Sequence, residues 1–436
     1  MTQIKQIKTD KISEDQNHLH NQRSILKHWS WVKLGDVAKS FKGKKPRSLS
    51  AERNEEFSIP YVDIKAFERK IIDNYTDGIN CTLCEPEDVL IVWDGARCGL
   101  VGRGIKGAIG STLAKIKSET HLNSFLFYFL KYHYKLINTN PKGVGIPHIE
   151  PNLFWGLTVP LPPLPEQKKI VEKIEELFSS LDSGVASLKK AKEQIRLCRQ
   201  SVLAAAFSGR LTRKDDISSR DVIFSGKAAE PKPEYSNQLP DGWKWVKVSD
   251  VGDIVTGTTP SKRVSEYYGN EFPFYKPTDL NAGINTRNAS ENISTLGATK
   301  ARLLPEKSTM VTCIGATIGK TGMNKIPGAT NQQINSIIPN KNYVPEFVYF
   351  FCISEFFQKQ IKEHASSTTL PILNKTKFES LPFILIPKNQ QLQIVEEIEK
   401  RFSEADNLEK AIDHSLAKAE TLRQSILKQA FEGKLV

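Results

Sequence analysis

Apolar residues return every seventh position along Ile174, Leu181, Leu188, Ile195 and Val202, and again along Ile398, Ala405, Ile412, Ala419 and Ile426. A seven-residue apolar repeat marks a helix that packs along a seam on another helix. Leu177, Ala191, Cys198 and Ala205 supply the second column of the first stretch, with Gly184 as its weak point; Leu408 and Leu422 supply that of the second. The pattern predicts two long helices packed antiparallel through these positions. Pro165 stands where a helix start tolerates a missing N–H, and Gly209 and Gly433 stand where helices end.

The two stretches are copies. Gln167, Ile170, Ile174, Phe178, Arg199-Gln200-Ser201 and Ala206-Phe207 reappear 224 residues later as Gln391, Ile394, Ile398, Phe402, Arg423-Gln424-Ser425 and Ala430-Phe431, with no insertion or deletion. Before each helix the pattern changes to short apolar runs closed by turn residues, which reads as strands. Val89–Val92 precedes Gly95, Gly99 and Gly102; Met310–Thr312 precedes Gly315, Gly319 and Gly322. Asn123–Tyr134 and Pro345–Lys362 read as aromatic-rich helices that fill the cores. The openings Trp29-Ser30-Trp31-Val32-Lys33 and Trp243-Lys244-Trp245-Val246-Lys247 also match. The offset drifts from 214 at the openings to 220 at the glycines and 224 at the helices, so loops vary around a kept frame.

The organisation expected is therefore a mobile segment over 1–25, a globular domain over 26–162, a spacer helix over 163–212, a polar linker over 213–240, a second domain over 241–386 and a second spacer helix over 387–436. The fold class is α+β: two similar globular domains separated by two long helices that pack as an antiparallel coiled coil, with pseudo-two-fold symmetry.

Composition narrows the functions open to such a frame. Lys+Arg 61 against Asp+Glu 49 gives a net +12, shared between both domains, which favours polyanions. Hydrophobic residues at 39% and charged residues at 25% fit a soluble globular chain, and no apolar run suits a membrane. The six cysteines are scattered and only Cys81 and Cys84 lie close, so reduced thiols of a cytoplasmic protein are expected and no metal site.

No catalytic constellation emerges. Gly315-Ala316-Thr317-Ile318-Gly319-Lys320-Thr321 resembles a phosphate loop but has three residues between its glycines where four are needed. The matching Gly95–Val101 stretch lacks the Lys and the Thr. Polar and basic loops remain, suited to phosphates and base edges. The DNA-binding candidates in the first domain are Lys42, Lys44, Lys45, Arg47, Arg97, Arg103, Lys106 and His148. Those in the second are Thr258, Lys262, Arg263, Thr317, Lys320, Lys325, Asn331, Gln332, Gln333, Asn374 and Lys375.

With these features in view, the chain resembles the specificity (S) subunits of type I restriction-modification enzymes. The resemblance covers nearly everything after residue 26. It rests on the doubled segments Pro163–Ile174 and Pro387–Ile398, on the Arg-Gln-Ser helix endings and on the paired tryptophan openings; Gln390 departs from Glu166. The resemblance implies two target-recognition domains, each reading half of a split double-stranded DNA target, with the helices as a ruler. Half-sites about one helical turn apart, ~34 Å, are expected. It further implies that the chain catalyses nothing and binds no cofactor directly. Two adenine-N6 methyltransferase subunits carrying S-adenosylmethionine would dock on it, with two restriction/translocase subunits that use ATP and Mg. The alternatives are a stand-alone bipartite DNA-binding regulator, a purely structural coiled-coil stalk and, on Gly315–Thr321 alone, a nucleotide-binding enzyme.

Overall fold

The structure, a computed structural model, describes residues 29–143, 145–212, 239–366 and 370–436. The 1–25 segment and residues 213–238 of the linker lie outside the described residues. The chain divides into two compact units: Met1–Leu188 with His414–Val436, and Lys189–Asp413. Each unit thus takes a piece of both long helices, a division that departs from domain limits drawn at the helix starts.

The described residues of the first unit form ten strands: β1 (Ser30–Lys33), β2 (Ala38–Lys42), β3 (Ile59–Val62), β4 (Tyr75–Thr76), β5 (Thr82–Cys84), β6 (Val89–Val92), β7 (Val101–Arg103), β8 (Gly107–Ile109), β9 (Leu113–Ser118) and β10 (Thr158–Leu161). They build one antiparallel sheet in the order β2-β9-β6-β7, a second sheet in the order β4-β3-β8-β5, and the pair β1-β10. In the second sheet β3 runs parallel to β8.

The second unit repeats this with β11 (Lys244–Lys247), β12 (Gly252–Thr256), β13 (Tyr268–Tyr275), β14 (Asn292–Ile293), β15 (Leu303–Leu304), β16 (Thr309–Thr312), β17 (Thr321–Met323), β18 (Gly328–Thr330), β19 (Ile334–Pro339) and β20 (Pro382–Leu385). Its sheets are β12-β19-β16-β17, β14-β13-β18-β15 and β11-β20, which is the first set with every number raised by ten. Val89–Val92 is buried at every position, as a continuous apolar run in an interior strand should be. The aromatic segments are helices, but each breaks: Asn123–Tyr132 before Tyr134–Asn138, and Pro345–Cys352 before Glu355–His364. The second break follows from Ser354, whose side chain caps the new helix by accepting from Phe357 N–H.

The long helices run Leu164–Phe207 and Lys388–Phe431. Buried amides fasten their first turns. Gln167, fully buried, accepts from Leu122 N–H at 2.9 Å and donates to the carbonyls of Thr120 and Pro162 at 3.1 and 3.0 Å. Gln391 repeats the pattern with Val344 N–H and the carbonyls of Asn342 and Ile386. One residue earlier, Glu166 accepts from the Trp29 indole N–H and Gln390 from that of Trp243, at 3.0 and 2.8 Å. The bond needs only an oxygen, so the Glu-to-Gln difference between copies is absorbed.

The far ends are fastened by aromatic rings. Phe431 meets Phe125 and Phe129 edge-on at 5.3 and 5.4 Å in the first unit. Phe207 meets Phe347 and Phe351 at 5.5 and 5.0 Å in the second. Between the ends the helices pair antiparallel, early positions of one against late positions of the other. Arg199 lies over the Phe402 ring and bonds Asp406 at 2.5 Å and Glu409 at 2.9 Å. Arg423 lies over Phe178 and bonds Asp182, the counterparts 224 residues removed.

The first column of the seam is as expected: Ile174, Val202, Ile398 and Ile426 are buried, and Leu181, Leu188, Ile195 and Ile412 half-buried. Leu408 and Leu422 are not in the seam; they are 43% and 49% exposed. After Ala405 and Ala419 the seam steps on by four residues, not three. It thereby takes Glu409 and Arg423, whose long side chains cross to the partner helix. No helix among the described residues is long and apolar enough to cross a membrane.

Phe207→Ala and Phe431→Ala should each destabilise the unit that holds the ring by about 3–5 kcal/mol, read by chemical unfolding of the purified chain. Gln391→Ala orphans one buried N–H and two carbonyls and should remove about 2 kcal/mol or more. Gln390→Glu keeps the acceptor for Trp243 and should leave the unfolding midpoint within about 0.5 kcal/mol of the parent.

Candidate nucleic-acid interface

In each unit the strand order gathers one set of turns. In the first unit, Gly43 N–H reaches Leu113 O at 2.8 Å, Lys44 N–H reaches Ile109 O at 3.1 Å, and Trp93 N–H reaches Thr112 O at 2.8 Å. Gly95 N–H then ties to Pro147 O at 2.7 Å. The end of β2, the end of β6, the β8–β9 turn and the bridged residues Lys142 and Pro147–His148 thus form one rim. The second unit makes the same ties: Gly257 to Ile334, Thr258 to Thr330, Cys313 to Gln333 and Gly315 to Pro371.

The repeated glycines are set by the backbone. A Cβ on Gly43 would sit 2.2 Å from Gly110 O, and one on Gly257 2.1 Å from Asn331 O, so no larger residue fits. Gly95, Gly99, Gly315 and Gly319 all have φ between 87° and 107°. Their turns join antiparallel strands, β6 to β7 and β16 to β17. A phosphate loop instead opens onto a helix N-terminus, so the nucleotide-binding reading of Gly315–Thr321 is withdrawn.

On the first rim Lys44, Lys45 and Arg47 are exposed. Lys42 contacts Asp94 at 2.7 Å, and His148 contacts the other oxygen of that carboxylate at 2.6 Å. Arg97 stands on the glycine turn and pairs with Glu68, which holds its guanidinium above the ordinary pKa. Beneath, Cys98 is buried, and burial pushes its thiol up.

Two first-unit candidates fall outside this group. Arg103 closes β7 at the end remote from the turn, where it stacks on Phe127 at 4.6 Å and approaches Glu175 at 3.6 Å. It packs a strand against the first long helix. Lys106, exposed between β7 and β8, lies at that same remote end.

The second rim has a different chemistry. Thr259 Oγ1 donates to Gln332 Oε1 at 2.5 Å, Thr256 Oγ1 to Asn335 Oδ1 at 2.7 Å, and Asn331 Nδ2 to Gln333 Oε1 at 3.0 Å. Asn331 is itself buried and so frames the rim rather than facing outward. Thr258 is half-buried, Arg263 exposed, and Thr317 exposed on the turn beside Lys320. Lys262 lies 3.6 Å from Glu291, whose carboxyl is held low chiefly by Lys276.

Lys325 follows β17, at the opposite end of the hairpin from the glycine turn, and so lies away from the rim. The Asn374 side chain caps the Lys375–Glu379 helix by accepting from Lys377 N–H at 2.9 Å. Lys375 pairs along that helix with Glu379.

Several rim residues escaped the sequence reading. Asp94 holds Lys42 and His148 on its two carboxylate oxygens, Gln358 holds the Gly319 and Cys352 carbonyls at 2.8 and 2.7 Å, and Arg302 donates to Thr256 O at 3.0 Å. The only signal for Asp94 is its place between a strand and a glycine turn.

Comparison with known proteins agrees with this duplicated architecture. The type I restriction modification DNA specificity domain matches twice, over residues 27–195 and 240–418. The MjaVIII specificity subunit of Methanocaldococcus jannaschii is 24% identical over 97% of this chain and 96% of its own length. The EcoBI specificity subunit of Escherichia coli is 26% identical over 94% and 87%. A solved chain from work on complex assembly and conformational transition of the type I R-M system shares the fold, with TM-score 0.71 and 21% identity over 93% and 98% of the two chains. The two matches cover the two strand-and-turn frames one each, and the chain belongs to the type I restriction-modification DNA specificity family.

Proposed function

We propose that the two rims read the two halves of a split double-stranded DNA target, the first domain one half and the second the other. The observation that carries this reading is one backbone frame built twice with different side chains on its rim. A shared frame presents loops alike, so unlike side chains select unlike bases. Lys44, Lys45 and Arg47 suit phosphates and guanine edges; the amides and hydroxyls of Gln332, Thr258 and Thr259 suit adenine edges.

In this reading the chain supplies sequence choice and attachment, and its partners supply chemistry. Two adenine-N6 methyltransferase subunits holding S-adenosylmethionine dock on the chain, and two restriction/translocase subunits using ATP and Mg complete the complex in the cytoplasm. The relatives MjaVIII and EcoBI are themselves specificity subunits of type I restriction enzymes. The long helices set the spacing between half-sites, about one turn of duplex.

Expressed with a type I adenine methyltransferase subunit, the chain should co-purify with that subunit. Sequencing of methylated adenines should then return one split site with two unlike halves. A continuous site overturns the reading, and so does a chain that binds DNA without any methyltransferase. Binding should also weaken steeply with salt through counterion release. Lys44→Ala and Lys45→Ala should each flatten the log–log slope by about 1, measured by fluorescence anisotropy; an unchanged slope removes that loop from the phosphate contacts.

A further inference from the structure

Asp94, His148 and Lys42 make a cluster that the repeat does not share. The stretch at His148 is tied to the end of β6: His148 exchanges both backbone bonds with Lys142 at 2.9 Å, Gly95 N–H bonds Pro147 O at 2.7 Å and Ile149 N–H bonds Trp93 O at 3.0 Å. These ties bring the imidazole Nδ1 to 2.6 Å from Asp94 Oδ1 while Lys42 Nζ holds Oδ2 at 2.7 Å. The Asp94 side chain is only 17% exposed, and that of His148 is 46% exposed. In the second unit the same bridge joins Ile314 to Ile372, which carry no polar group.

A carboxylate accepts hydrogen bonds and cannot donate one, so the Nδ1 facing Asp94 carries the hydrogen. In its neutral form the ring therefore keeps its lone pair on Nε2, the nitrogen turned from Asp94, in a side chain nearly half open to solvent. The glycine turn beside Asp94 is itself uncrowded, since a Cβ built on Gly95 meets no atom within 4 Å. Lys42 neutralises the carboxylate, so the pair presents a directed acceptor without presenting a bare negative charge to the duplex.

We propose that His148 is a specificity-determining residue of the first domain. Its Nε2 accepts from an exocyclic amino group in the major groove, adenine N6 or cytosine N4, and Asp94 is the positioning residue that fixes the tautomer. The inference rests on the proposed reading of DNA by this rim.

The test is selection of binding sites from a random duplex library at pH 8, using the full chain with its methyltransferase partner. The parent complex should return a split motif. His148→Ala should lower the preference at one base pair of one half-site, on the order of tenfold, with the other half-site unchanged. His148→Gln, whose amide oxygen can accept, should recover an amino-bearing base there. Asp94→Asn should blur the same pair, because an amide can accept from or donate to the ring and so admits both tautomers. A purely structural role for Asp94 would instead lower recovery without changing base frequencies at one pair. An unaltered motif in His148→Ala, or changes spread over both half-sites, overturns the inference. Failure of the parent complex to select any motif overturns the DNA-reading function itself, and this inference with it.

Discussion

Neither unit closes its core with its own strands alone. The first finishes with Ile170 and Ile174 from the start of one long helix and with Leu427, Ala430 and Phe431 from the end of the other. The second finishes with Ile394 and Ile398 and with Leu203, Ala206 and Phe207. Burying a phenylalanine is worth about 1.5–3 kcal/mol, and edge-on ring contacts add to it. The helix ends are therefore core residues of the domains, and the register of each helix against its strands follows from them. Gln167 and Gln391 add direction: a buried amide satisfied by three backbone groups tolerates neither rotation nor slip of the first turn.

That constraint separates what repeats from what varies. The parts that recur in both copies are those whose geometry leaves little choice, namely Gly43 and Gly257 against carbonyl oxygens, the positive-φ glycines of the two turns, and the helix-fastening amides. Side chains standing on those turns obey no such limit. Thus Arg97 answers Thr317, Asp94 answers Ile314 and His148 answers Ile372 within one backbone path. A rigid frame with free rim positions lets the preferred ligand change without altering the fold.

Much of the frame was legible in the chain. The unbroken 224-residue offset located the starts of both helices to within a residue, because helices tolerate no insertion without losing their seam. Each helix stops two residues before Gly209 or Gly433, short of the 212 and 436 limits expected. Val89–Val92 was legible because an interior strand is apolar throughout. The second column was misread because Leu408 and Leu422 are apolar and Glu409 and Arg423 are not. Polarity misleads where a two-helix seam leaves its flanks half in water and long side chains lie along them. Arg103 and Lys325 were grouped with the rim because sequence proximity to a glycine turn does not say which end of the next strand a residue occupies. Asp94 was passed over since its role depends on a histidine 54 residues away.

The seam itself shows why its polar members are useful. Ala405 and Ala419 are buried in the seam, and Arg199 and Arg423 cover Phe402 and Phe178 while pairing with Asp406 and Asp182. Solvent-exposed pairs of this kind add little stability, since Asp182 and Asp406 are 63% and 59% exposed. What they supply is discrimination. An apolar seam of repeated heptads is nearly as favourable when slipped by seven residues, or when paired with a second copy of itself. Reciprocal Arg–Asp and Arg–Phe contacts, met twice in opposite senses, are satisfied only in the antiparallel register observed. The same two arginines that close the doubled sequence motif thus keep the spacing of the helices a property of the sequence rather than of hydrophobic association alone.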